Sequence, residues 1–130
     1  MSAADVERLV AAATKAREFT HALAPGKSVI VRLPTPHELE LAGATRITGN
    51  AGAVLFFRSL LEQCIVGWSG VVEADLVPGD PAEPAPDVPF APALVPLLLD
   101  TNPAEAVALR EALLDRLAQR AARAEAARKN

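Results

Sequence analysis

A single cysteine rules out an internal disulfide, and tyrosine is absent altogether. Four phenylalanines and one tryptophan hold aromatic content to 4%. The hydrophobic fraction of 51% is swelled by alanine, which buries little area per residue. These shortages point to a thin core drawn from leucine and valine, in one domain spanning residues 1–130. No uncharged apolar run approaches the roughly 20 residues that cross a bilayer, so no membrane contact is expected. No basic-then-apolar leader opens the chain, and with so little cysteine the expected compartment is the cytoplasm.

Residues 59–109 contain no lysine or arginine but eight acidic groups. Seven basic and five acidic residues precede this segment, and six basic and three acidic residues follow it. The net charge of −3 therefore conceals segments of +2, −8 and +3. The acidic middle must be well hydrated or face something basic.

Catalytic signatures are missing too. The chain has no P-loop, GxGxxG, HExxH, CxxC or GxSxG motif. His21, His37 and Cys64 are its only histidines and cysteine, and no two of them have metal-ligand spacing. Cys64 lies on an apolar helical face, which suits a small hydrophobe better than a nucleophile paired with His37. Glu73, Asp75, Asp80, Glu83 and Asp87 lack the regular spacing and central glycine of a calcium loop. No catalytic residue, metal site or cofactor is expected, and no enzymatic activity.

The sequence does contain a heavily apolar stretch, Ala51–Trp68. Val54, Phe57, Leu61, Cys64, Ile65 and Trp68 follow helical spacing, and Leu55, Phe56, Leu60 and Val66 widen the face. Such a helix needs cover on most sides, from the fold or from a partner chain. Around it the sequence predicts a mainly α fold of four to five helices. Residues 1–26 read as an N-terminal helix capped by Ser2, with Val6, Leu9, Val10, Ala13 and Leu23 along its stripe and Pro25-Gly26 as its stop. SVIVRL (28–33) reads as a strand, with Gly70–Glu73 as its partner in a minor two-stranded ribbon. Thr35-Pro36-His37-Glu38 is a capping box opening a helix to about Thr48, with Leu39, Ala42 and Ile47 inward. Eight of eleven prolines fall between Pro78 and Pro103, making residues 74–91 an acidic, extended surface loop. Pro92–Leu99 reads as a short core helix. Asn102-Pro103-Ala104-Glu105 starts the last helix, with Val107, Leu109, Leu113, Leu114 and Leu117 inward. Residues 118–130 form a basic helical tail.

Arg116, Arg120 and Arg123 share one helix face, the one feature favouring a small DNA-binding regulator. Overall acidity and the lack of nearby aromatics argue against nucleic acid as partner. Trp68 and Phe90 either pin the acidic loop to the core or face a partner. With Arg120 and Arg123 they are the candidate partner-binding residues.

Several motifs occur together in one order. RLPTPHE (Arg32–Glu38) precedes an apolar helix ending IVGWSGV (Ile65–Val71), then the acidic Pro/Gly loop, VPFAPALVPLLLD (Val88–Asp100) and an Ala/Arg-rich helix. Over residues 29–130 this resembles the small tail assembly chaperones of long-tailed bacteriophages and prophages. Ala91 departs from the Ser or Thr expected to cap the helix before Pro92. The resemblance implies a non-enzymatic, mainly helical, self-associating protein of the host-cell cytoplasm. It implies binding to the tape-measure protein and tail-tube subunits during tail assembly, and in many members a longer frameshifted form. A virion structural protein, such as a tail-completion or neck component, is the alternative.

Overall fold

The computed structural model describes residues 1–43, 48–79 and 85–129. Helix α1 (Ala3–Ala16) starts as expected. The Ser2 hydroxyl accepts from the Asp5 amide at 3.2 Å, and the Asp5 carboxylate accepts from the Ser2 amide at 3.1 Å. The helix stops well short of Leu23, however. Glu18–Ala24 is strand β1, joined through Pro25-Gly26 to the antiparallel strand β2 (Lys27–Arg32). Gly26 takes φ 78°, the left-handed conformation this tight connection demands. EFTHALA fits either period, and the unpaired backbone of SVIVRL decides for the strand.

The second partner of β2 also differs from expectation. It is β3 (Ile65–Ser69), not Gly70–Glu73, so a three-stranded antiparallel sheet of order β1-β2-β3 replaces the two-stranded ribbon. Val29 lies opposite Trp68 and Val31 opposite Ile65, with an irregularity between Ile30 and Val31. Ile30 covers Gly67, where an added Cβ would stand 3.2 Å from the Ile30 Cδ1. Gly70, at φ 75°, then passes against the Gly26 carbonyl, leaving no room for a side chain.

Pairing of Ile65–Ser69 shortens the expected helix, so α3 spans Gly49–Cys64. Nor is α3 central. Only Leu60, Leu61 and Cys64, near its C-terminal end, are buried. The core lies between the sheet and three helices, the end of α3, α4 (Val95–Thr101) and α5 (Pro103–Lys129). Val29, Val31 and Ile65 meet Leu61, Leu98, Leu99, Leu109 and Leu113 there, all buried. Mainly α thus describes the chain, with five α-helices and one small sheet among the described residues.

Helix α2 (Pro36–Leu41) has the expected Thr35–Glu38 capping box but ends before Gly43, whose φ is 93°. Ala42 is exposed instead of inward, and Ile47 lies outside the described residues. Leu97 and Val107, also expected in the core, are exposed. The Pro92–Leu94 segment is a 3-10 turn with no side-chain cap at Ala91, and α4 follows it directly. The Asn102 side-chain amide donates to the carbonyls of Leu98 and Asp75, both at 2.8 Å.

The neck of the acidic loop is held down. Glu73–Asp75 forms a 3-10 turn, Val72 bridges to Asp87, and the Lys27 ammonium meets both Asp75 oxygens at 2.8 and 2.9 Å. Asp80 and Glu83 lie outside the described residues.

Gly70→Ala should destabilise the fold by at least about 2 kcal/mol, through left-handed strain and collision with Gly26. Leu109→Ala should cost about 2–5 kcal/mol as a core cavity. Urea denaturation measures both.

Candidate functional site

The four candidate partner-binding residues fall into two separate places. Trp68 sits on β3 and donates its indole N–H to the Val88 carbonyl at 2.7 Å. Phe90 meets its ring edge to face, with centroids 5.0 Å apart and planes at 83°. Val88 also donates its amide to Val71 at 2.7 Å. Both aromatics are half-buried and strap residues 88–90 onto the sheet, the anchoring role.

Arg120 and Arg123 lie elsewhere, on α5, lining a cleft with Arg17, Glu18, Phe19, Leu33 and Arg116. Trp68 and Phe90 take no part in it. The Arg116 guanidinium stacks 4.7 Å over the Phe19 ring, and Arg120 donates to the Pro34 carbonyl.

A third surface includes none of these four candidates. Residues 54–61 of α3, the end of α4 and the first two turns of α5 border a groove of about 330 Å³ lined by Val54, Leu55, Leu61, Leu99, Pro103, Ala106 and Val107. Leu55 is 72% exposed, Val54 51% and Val107 44%. Their exposure on one apolar concavity differs from the scattered surface leucines of ordinary proteins. Arg58 stiffens one rim, holding Glu62 at 2.8 Å and Asp100 at 2.7 Å. Burial by itself would lower the pKa of that guanidinium, but the two carboxylates outweigh burial and raise it. The sequence signal for this groove was the excess apolar width of the 51–68 stretch, too broad for one covering surface. Helix α1 likewise buries no residue and exposes Val6, Leu9 and Val10.

Cys64 is buried at the end of α3, and burial, helped by the charge of Glu38, pushes its thiol up to about 11. At neutral pH it is overwhelmingly the uncharged thiol, a poor nucleophile. His37 is exposed on α2 and does not line the concavity that contains Cys64. No cluster of three His, Cys, Asp or Glu suited to a metal occurs among the described residues. No helix among them is long and apolar enough to cross a membrane. No protein-family model, curated protein or solved structure matches the chain.

Trp68→Ala should destabilise by about 3–5 kcal/mol and release residues 88–90. Trp68→Phe, which loses chiefly the indole hydrogen bond, should cost nearer 1 kcal/mol in urea melts. Because the folded pKa of Cys64 is raised, the stability conferred by its neutral thiol is complete below pH 9. It should fall as pH climbs through 9 towards about 11, a decline absent from Cys64→Ala.

Proposed function

We propose that this chain is a non-enzymatic phage tail assembly chaperone, which holds the tape-measure protein through the α3/α5 groove while the tail is built. The exposed apolar wall formed by Val54, Leu55 and Val107 carries the reading. Complete burial of a fully exposed side chain of this kind is worth roughly 1.5–3 kcal/mol, and covering the part still in water here would return a share of that for each, so a partner that covers them is favoured. A groove between two helices, with an apolar floor and charged rims at Arg58, Asp100 and Arg110, suits an amphipathic helix laid along it. A tape measure is a long, largely helical, partly apolar polypeptide that must stay soluble until the tube encloses it. The sequence resemblance supplies that identity for the partner, and tail-tube subunits are the second candidate client. A permanent virion component, such as a tail-completion or neck protein, would use the same groove.

Co-expression with the tape-measure protein of the same phage should keep that protein soluble and yield a co-purifying complex. Leu55→Asp with Val107→Asp should weaken the complex at least about tenfold while leaving far-UV circular dichroism unchanged, because both positions are exposed. Unaltered binding by the double variant, or a tape measure that aggregates regardless, would overturn the proposal. Detection of the chain in purified particles would favour the virion component.

A further inference from the structure

The arginine cleft at one end of the sheet is positively charged in a way the rest of the protein is not. Arg17, Arg116, Arg120 and Arg123 line a cavity of about 250 Å³. Neutral groups do much of the work of orienting them. Arg17 donates to the Leu33 carbonyl at 2.9 Å, Arg120 to the next carbonyl, Pro34, and Arg116 lies on the Phe19 ring. Such acceptors fix a guanidinium without cancelling its charge, and each retains unused N–H donors. Glu18, the one carboxylate lining the cleft, is engaged by Arg32 at 3.2 Å, and Glu38 pairs with Arg17 at 2.9 Å, which leaves Arg116, Arg120 and Arg123 without a carboxylate partner among the described residues. Elsewhere cations are paired with carboxylates, as in Lys27–Asp75, Arg58–Glu62 and Arg128–Glu125, or, like Arg8, Lys15 and Arg110, do not line this cleft, whereas here four guanidiniums line one cavity. Among the described residues the cleft keeps a surplus of positive charge.

The opposite end of the sheet has the reverse sign. From Lys27 to Arg32, β2 runs six residues, about 20 Å. At the Lys27 end, Gly70 abuts Gly26, Asp75 holds Lys27, and the Val72–Asp87 bridge closes the neck of the acidic loop. Glu73 and Asp87 are exposed there, and neither forms an ion pair among the described residues. A sheet holds these two ends apart, so they cannot satisfy each other within one molecule.

We propose that the chain associates head to tail, with the acidic loop neck of one copy seated in the arginine cleft of the next. Contact between different surfaces on the two copies is heterologous, so it closes into a ring or continues as a filament according to the rotation between neighbours. Carboxylate side chains match guanidinium forks, and the cleft falls below the about 300–1,000 Å³ of ordinary small-molecule pockets. Nucleic acid fits less well, because the aromatic face at the cleft, Phe19, is covered by Arg116 and offers no stacking platform. The inference is independent of the tape-measure reading, since it requires only this chain.

Sedimentation velocity on the full chain tests it. At about 50 mM salt the wild type should run as species heavier than the 13.6 kDa monomer, and at about 500 mM as the monomer. Arg116→Glu with Arg123→Glu, and separately Glu73→Lys with Asp87→Lys, should each weaken association at least about tenfold. All four positions are exposed, and Arg120 is left in place because it holds Pro34. If circular dichroism shows the arginine pair misfolded, Arg123→Glu alone serves as the cleft variant. Mixing the two charge-reversed proteins should restore association, because each surface again meets its opposite. A wild type that stays monomeric at low salt, variants that associate as strongly as wild type, or a mixture that remains dissociated would overturn the proposal. So would a monomeric wild type whose cleft binds a single-stranded oligonucleotide.

Discussion

Strand β2 is the element on which the other parts of the fold depend. Its backbone donors and acceptors face both ways, and its inward side chains, Val29 and Val31, are fully buried. A strand so enclosed must find a ladder on each side, since unpaired buried amides and carbonyls are costly. β1 supplies one ladder through a two-residue turn, and β3 supplies the other across the chain. Satisfying β2 therefore dictates where two helices end. α1 stops at Ala16 so that Glu18–Ala24 can pair, and α3 stops at Cys64 so that Ile65–Ser69 can.

Once the sheet is complete, α4, α5 and the end of α3 cover its inner face, and little apolar surface remains to enclose anything more. The beginning of α3 and all of α1 are left with exposed valines and leucines. In a chain this poor in aromatics the core cannot extend to shelter them. The charged surface is ordered by the same sheet. Its turn end collects the acidic neck around Asp75, and its open end collects the arginines of α5 beside Arg17. Apolar groove and charge separation are thus by-products of one small sheet covered by helices.

The starts of α1 and α2 were legible in the sequence. Ser2 with Asp5 and Thr35 with Glu38 make local contacts spanning three residues, and those contacts exist as the spacing implied. The SVIVRL strand was legible for a similar reason, a run of β-branched residues closed by proline. Trp68 and Phe90 do meet, although the spacing around Trp68 suits a helix as well as the strand it occupies. That strand and β1 misled because helical and strand periods coincide over short spans. EFTHALA and IVGWS each have apolar residues that suit either. Val107 belongs by spacing to the inward set of α5, yet it opens onto the groove beside α3 and stays 44% exposed. The arginine spacing on α5 was plain, but Arg17 and the Leu33 and Pro34 carbonyls join it only after the chain has folded.

By itself, then, the sequence determined where α1, α2 and α5 begin, that SVIVRL is extended, that helix dominates the chain, and how charge is divided along it. Each of these rests on contacts within a few residues or on composition. Tertiary structure alone decided where α1 and α3 stop, which strands flank β2, which leucines and valines stay in water, and which arginines converge. Those outcomes depend on hydrogen bonds and packing between residues far apart in the chain, and a local pattern does not encode which distant backbone will be there to pair with it.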